Sequence, residues 1–350
     1  MMVMREPMEK YSRQAEALTS AFLTLRLSLS HLARVQPTLE DIKAAAERIK
    51  PHAHRTPVLT SRTMDGLSKG SLFFKCENFQ RMGAFKFRGA VNAVFCLTET
   101  EARRGVATHS SGNHAQALAL AARIRGIDAC IVMPQDAPRV KVDAVRGYGA
   151  RIVFSGSKPE DRERVLTEVI ETSGAVFIHP SDDLRVIAGQ GTCALEIMED
   201  VPELDMILAP VGGGGLLSGT AIAVQGTSQR TRVIGAEPAN ADDAFRSFTT
   251  GVLHPSGNPR TIADGLRTSL GPNTFPIVRS CVAQIVTVSE EAIIAAMKLL
   301  WERMKIVVEP SGAVPLAAIM EGKLDAAGSR TAVILSGGNV DLDSPPWLAR

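Results

Sequence analysis

The sequence predicts a doubly wound α/β protein with mostly parallel sheets, and three observations lead there. From Leu72 onward, short β-branched or apolar runs recur that lack the strict alternation of a strand with one wet face. Longer stretches with helical spacing separate most of them, which suits parallel strands covered on both faces. At 350 residues the chain is long enough for one or two such domains without disulfide or metal staples.

Taken in order, the first 35 or so residues contain Leu18, Phe22, Leu25, Leu29 and Leu32 at amphipathic spacing, but Glu9, Glu16, Arg26 and His31 interrupt a signal-peptide core. Residues 1–36 are therefore expected to be a disordered extension or an over-long start, with a mitochondrial leader as the alternative. Order is expected from Pro37. There, Thr38 and Asp41 form a capping box ahead of a helix over Ile42–Ile49, closed by Pro51. Strands are predicted at Val106–Thr108, Ala129–Met133, Ile152–Phe154, Val176–Ile178, Met206–Leu208, Val233–Gly235, Ile285–Val288 and Ala332–Leu335. Between them, helices are predicted at Ala115–Arg125, Pro159–Thr172 and Ala292–Lys305.

Composition removes several functions. With 39 Lys+Arg against 37 Asp+Glu, the net charge of +2 offers no footprint for nucleic acid or an anionic membrane. The five cysteines (Cys76, Cys96, Cys130, Cys193 and Cys281) are odd in number, scattered and never spaced as CxxC, which argues for a reducing cytoplasm rather than a disulfide scaffold or zinc ribbon. The uncharged stretch Met206 to Gln229 contains four consecutive glycines, so it reads as strand, loop and helix rather than a membrane span.

Chemistry concentrates in loops at strand ends. Gly212, Gly213, Gly214 and Gly215 lie between the strand ending near Pro210 and a helix starting near Leu216, where bare backbone N–H groups and a helix N-terminus suit a phosphate. The spacing fails both the dinucleotide and P-loop patterns, and a ligand-free tight turn is the bland alternative. His109, Ser110, Ser111, Gly112, Asn113 and His114 form a second loop suited to a carboxylate, or simply to helix capping. In the third, Lys86 sits between Phe85 and Phe87 and close to Arg88. An amine among apolar groups and beside another cation loses its proton easily and becomes a nucleophile, although a lysine snorkelling from a helix has the same local sequence. Ser336 ends the strand Ala332–Leu335, with Glu309-Pro310-Ser311-Gly312 preceding the helix before it; a hydroxyl there can face a ring nitrogen, or the stretch is equally only a turn.

A nucleophilic lysine, a phosphate cup, a carboxylate loop and that hydroxyl together describe pyridoxal phosphate and an amino acid substrate. Here the sequence resembles the fold-type II pyridoxal-phosphate enzymes, in particular the serine racemase and threonine/serine dehydratase family. The resemblance spans about residues 38–345 and rests on KCENFQRMGAFKFRGA, HSSGNHAQALA, AGQGT, PVGGGGLLSG, AEPANADD, TIADG, RMKIVVEPSGA and LSGGNVDL in that order. It implies a tryptophan synthase β-like fold with a large domain from 37–104 and 183–350, a small mobile domain from 105–182, and a homodimer.

By the same resemblance, Lys86 carries the cofactor, Phe85 packs on its ring, Asn113 binds the ring hydroxyl, Gly212 to Leu216 hold the phosphate and Ser336 faces the pyridine nitrogen. Ser110, Ser111, Asn113 and His114 would surround the substrate carboxylate, with Arg162 contributing from the small domain. Glu237, the Ala241 carbonyl and Asp243 match the family's divalent-cation site, hard oxygens suited to Mg²⁺ or Ca²⁺. The implied activity is that of a carbon–nitrogen lyase, dehydrating threonine, serine or a 3-hydroxy amino acid such as hydroxyaspartate. Because Ser111 is placed to act as an acid on the opposite face of Cα, serine racemisation is the runner-up. Ala84 and Met82 stand where many relatives carry Ser and Thr, which leaves substrate preference open. The chain stops soon after Asn339, so a C-terminal regulatory domain and isoleucine feedback are not expected. A nicotinamide-dependent oxidoreductase and a catalytically silent binding protein are the competing classes.

Overall fold

A computed structural model describes residues 36–348, so the expectations for residues 1–35 lie outside the described residues. All eight predicted strands form, and two more precede them. In chain order they are β1 (Val58–Leu59), β2 (Ser71–Cys76), β3 (Val106–His109), β4 (Ala129–Pro134), β5 (Arg151–Ser155), β6 (Val176–Phe177), β7 (Met206–Pro210), β8 (Arg232–Pro238), β9 (Gln284–Val288) and β10 (Arg330–Leu335).

They make two sheets. The larger runs β1-β2-β10-β7-β8-β9, and every pairing in it is parallel except β1 with β2. The smaller, β5-β4-β3-β6, is wholly parallel.

The helices are α1 (Leu39–Ile49), α2 (Arg62–Ser68), α3 (Lys86–Phe95), α4 (Glu99–Arg104), α5 (Asn113–Arg125), α6 (Arg139–Gly147), α7 (Pro159–Ser173), α8 (Leu184–Asp200), α9 (Gly215–Thr227), α10 (Asp243–Thr250), α11 (Thr274–Cys281), α12 (Glu290–Met304) and α13 (Pro310–Met320). The capping box at Thr38 forms as expected: the hydroxyl accepts from Asp41 N while the Asp41 carboxylate accepts from Thr38 N at 2.8 Å. Helix α12 stops at Met304 because Lys305 turns left-handed at φ 60°.

The uniformly apolar strands now have a reason. In β7, Met206 and Leu208 join the core beneath α12 and α13, whereas Ile207 and Ala209 join the one beneath α8 and α9; β10 divides its residues the same way. In the smaller sheet, Ile131 and Met133 face α3 and α5, while Cys130 and Val132 face α7. Alternation exists, but both faces are dry. Truncating a wholly buried residue here, such as Ile207 or Ile334, to Ala would cost about 2–5 kcal/mol.

A polar cluster interrupts this interior where α3 meets α8. Arg88 and Glu77 are wholly buried, and Arg88 Nε and Nη2 each donate to Glu77 at 2.8 Å. The same guanidinium donates to both Glu196 oxygens at 2.7 and 2.8 Å, and Lys75 Nζ donates to Glu196 and to the Thr56 carbonyl at 2.7 Å each. Two positive and two negative groups thus neutralise one another two residues along the helix from Lys86. Among the described residues, no helix is long and apolar enough to cross a membrane.

Candidate active site

In parallel sheets, ligands collect at the carboxyl ends of the strands. Three such ends supply chemistry here: β10 leads to Ser336, β7 to the glycine loop and β3 to Ser110. The loop bearing Lys86 is stitched to the first of these. Phe85 N donates to Ser336 O at 3.0 Å, Gly338 N donates to Gly83 O at 2.9 Å, and Ala84 bridges Gly337. Met82 takes a left-handed conformation at φ 54°, unusual for a side chain without a local polar partner, and Asn339 Nδ2 holds its carbonyl at 2.8 Å.

Lys86 opens α3, with Nζ donating to Pro180 O at 2.8 Å and lying 5.2 Å from the Phe85 ring centroid. The side chain keeps some access to solvent, yet desolvation pushes the amine down to about 8, with the Glu309 carboxylate pulling the other way. The amine's pKa is low, as the apolar flanks predict, but one expected cause is absent. Arg88 does not depress Lys86, because Glu77 and Glu196 already absorb its charge, and Phe87 points into the core beside α5.

The glycine loop enters α9 with Gly214 at φ +80° and no side-chain cap, so the first N–H groups of that helix are left for a ligand. At Gly213, a Cβ would lie 2.2 Å from Ser181 Oγ, so a side chain would close the cup. Pro180 and Ser181, which face Lys86 and this loop respectively, follow β6; a His-Pro-Ser-Asp stretch after a short strand was the signal available for them.

At the end of β3, Gly112 N donates to the Ser110 hydroxyl at 3.2 Å, and α5 begins at Asn113 with no side-chain cap. The His114 ring is buried and committed elsewhere. Its Nε2 lies 3.2 Å from Ile178 O, which makes it the N–H donor, and burial, with Lys86 adding to it, holds its pKa well below the usual value. What His114 offers to a carboxylate is its backbone N–H in the first turn. Arg162, in the first turn of α7, has its Nε buried without a hydrogen-bond partner; its charge joins desolvation in lowering the pKa of His109.

Two residues that sequence reasoning left unassigned stand at the centre. Glu309 Oε1 and Oε2 accept from Asn113 Nδ2 at 3.0 and 3.2 Å, and Asn339 Nδ2 donates to Asn113 Oδ1 at 2.9 Å. Glu309 sits directly before a proline and a helix, where it reads as ordinary helix-start chemistry, yet its side chain makes no cap hydrogen bond.

Farther off, Glu237 accepts from Ala244 N and Phe245 N at 3.1 and 2.9 Å, and burial pushes its carboxyl up to about 9. Asp243 is buried, both its oxygens lack a hydrogen-bond partner, and desolvation raises it to about 6. Ala241 ends the 3-10 turn Ala239–Ala241 between them. A buried carboxylate with unpartnered oxygens beside a second buried carboxylate fits a hard cation. Among the described residues, no three His, Cys, Asp or Glu side chains converge as a metal cluster, so backbone oxygen would have to complete such a site.

Comparison with known proteins agrees with this geometry. Residues 49–337 match the family model described as "Pyridoxal-phosphate dependent enzyme". The chain is 51% identical to the beta-hydroxyaspartate dehydratase of Paracoccus denitrificans (strain Pd 1222), over 89% of this chain and 99% of that one. The crystal structure of serine racemase from Dictyostelium discoideum superposes with a TM-score of 0.85 at 48% identity, covering 88% of this chain and 100% of the other. That of the T.th. threonine deaminase gives 0.83 at 47%, covering 87% and 99%. A lysine among strand-end loops, a glycine cup at a helix start and these matches lead to one conclusion: the chain belongs to the pyridoxal-phosphate dependent enzyme family, with the fold-type II architecture.

Proposed function

We propose that the chain is a dehydratase, an ammonia-lyase converting L-threonine, L-serine or a related 3-hydroxy amino acid to a 2-oxo acid and ammonia. The observation that carries this is the half-buried Lys86 amine, with its pKa brought down to about 8, beside a glycine cup and a loop of hydroxyl and amide donors. When bound, pyridoxal phosphate supplies the electron sink that acidifies the substrate Cα–H. The protein's own residues do the rest.

Backbone N–H groups from Gly212 to Leu216 hold the phosphate, Phe85 packs on the ring, Asn113 binds its hydroxyl and Ser336 presents a neutral hydroxyl to its nitrogen. Ser110, Ser111, Asn113 and the His114 backbone hold the substrate carboxylate, assisted by the Arg162 guanidinium. Lys86 Nζ takes the Cα proton, a role open to an amine that is substantially neutral near pH 8. The β-hydroxyl leaves as water, and water returning at Cα releases ammonia, so the carbon skeleton departs as the oxo acid.

Racemisation is the second reading, because Ser111 lies in the donor loop and a serine racemase is among the similar structures. We infer also that Glu237, Ala241 and Asp243 hold Mg²⁺ or Ca²⁺, supported by the unpartnered Asp243 oxygens. We further infer a cytoplasmic homodimer, the location supported by five free thiols. Its small mobile domain, residues 105–182, is supported by the separate four-stranded sheet.

The test is release of 2-oxobutanoate, pyruvate and oxaloacetate measured side by side from threonine, serine and hydroxyaspartate. Activity on at least one is expected, accompanied by a visible cofactor band, and both vanish in Lys86→Ala. Full activity in that variant would remove Lys86 from the mechanism.

A further inference from the structure

Resting on the reading that Lys86 carries pyridoxal phosphate, we infer that Glu309 is a positioning residue of this site: its carboxylate fixes the orientation of the Asn113 amide toward the cofactor ring and sets the charge beside Lys86. Glu309 is 4% exposed, and among the described residues no arginine or lysine is hydrogen-bonded to it. A carboxylate in that position is costly unless its hydrogen bonds are well placed. It is not used to cap α13. Both oxygens are turned to Asn113 Nδ2, and Oε2 also accepts from Asn339 N at 3.1 Å.

The consequence falls on Asn113. A carboxamide has one oxygen and two N–H bonds, and its sense in a site is decided by its partners. Here the oxygen is taken by Asn339 Nδ2 and one N–H by Glu309. Flipping the amide would set its oxygen against the carboxylate and its N–H against the Asn339 N–H. The remaining N–H is thereby left as a donor, which is what a ring oxygen carrying negative charge requires. Gly337 is the feature that admits the carboxylate, because a Cβ there would lie 2.7 Å from Glu309 Oε1 and 2.9 Å from Cδ.

The charged neighbours are few. Lys86 on α3 feels the carboxylate, and Asp264 of the 3-10 turn Asp264–Leu266 repels it, while Lys141 on α6 attracts it and pairs with Asp264 at 2.6 Å. Burial raises the carboxyl to about 7, opposed by the Asn113 hydrogen bond, so its protonation changes near neutrality. Protonation would cost Asn113 an acceptor and Lys86 a counter-charge together.

The experiment reconstitutes Glu309→Gln and Glu309→Asp with pyridoxal phosphate and reads two quantities besides activity. One is the cofactor dissociation constant from titration of the apoprotein. The other is the pH at which the visible band of the lysine-bound cofactor is half lost. For Glu309→Gln, the constant rises about tenfold or more, the loss of one charge-assisted hydrogen bond. The pH midpoint falls, because the negative charge that favours a protonated lysine nitrogen is gone. Glu309→Asp keeps the charge and restores most of the midpoint.

A merely structural role would lower the melting temperature and leave the midpoint in place. Wild-type constant and midpoint in a folded Glu309→Gln overturn the inference. If that variant does not fold, Asn339→Ala, at an exposed side chain, frees Asn113 Oδ1 and raises the constant with the midpoint unmoved; a wild-type constant there overturns it equally. A wild-type protein with no visible band sinks the cofactor reading itself. A normal wild-type band with indifferent variants sinks only the role of Glu309.

Discussion

Replacing Glu77 with Gln should destabilise the protein more than any single surface charge change, and should do so beneath Lys86. The carboxylate is wholly buried and accepts two hydrogen bonds from Arg88 at 2.8 Å and one from the Thr56 hydroxyl at 2.5 Å. Removing its charge leaves Arg88, itself wholly buried, with Glu196 as its remaining carboxylate partner among the described residues. Breaking a buried pair in this way costs about 3–5 kcal/mol, a large part of the roughly 5–15 kcal/mol that keeps a domain folded. With about 2.1 cal/mol/K of unfolding entropy per residue, the melting midpoint should fall by about 4–7 °C.

A control removes the Arg55–Glu199 pair, where both side chains are about half exposed (52% and 53%); Glu199→Gln should cost well under about 1 kcal/mol. Calorimetry of both variants across pH adds a second check. Desolvation alone would raise the Glu77 pKa, but the Arg88 charge and hydrogen bonds overcome it and the net shift is downward. The stabilisation is therefore complete above the ordinary glutamate value of about 4.3 and fades only as pH falls from there toward the lower folded value. The Glu77→Gln penalty should shrink in that acid window and be constant at neutral pH. Equal melting shifts for Glu77→Gln and Glu199→Gln would refute the reasoning, as would a penalty that grows in acid.

Three further outcomes are expected. Attachment of pyridoxal phosphate to the apoprotein should be half-maximal in rate near pH 8 and level off above it, whereas an unperturbed lysine would still be gaining near its ordinary value of about 10.4; a profile still climbing past pH 9.5 or so would contradict the lowered Lys86 pKa. Ser111→Ala should suppress D-serine formation far more than oxo-acid release, and equal loss of both would remove Ser111 from the face opposite Lys86. Excess chelator should lower the melting temperature, Mg²⁺ or Ca²⁺ should restore it, and Asp243→Ala should abolish the difference; a curve indifferent to all three treatments would leave the two carboxylates without a cation.

Apolar content rather than alternation made the strands legible, because both faces of β7 and β10 are dry. The same uniformity concealed how strands divide between sheets. Nothing in Val106–Thr108 distinguishes it from Met206–Leu208, and the assignment rests on pairings such as Val106 with Ala129 and Ile207 with Val233. β1 went unseen because two residues, Val58 and Leu59, carry no period.

At the site, what is local was readable: the lysine loop, the glycine run and the Ser-Ser-Gly-Asn turn. What depends on distant partners was not. Arg88 looked like a cation acting on Lys86 because Glu196, 108 residues away, could not be seen beside it. Glu309 drew no role because Asn113 lies 196 residues before it. The His114 ring looked available until Ile178 was found to hold it.

Lys86, the glycine loop and the Ser336 strand end come from segments separated by more than a hundred residues and are brought together by the parallel ladder β2-β10-β7 and the loop contacts above it. Such pairing of remote segments is slow to assemble, since loop closure must precede any reward. A half-formed chain thus has no vitamin-derived partner to recruit, and the aldehyde should bind the finished molecule alone. Supply of that small molecule then shifts the yield of folded enzyme by mass action, so the nutritional state of a cell would govern how much of this protein survives as well as how fast it works.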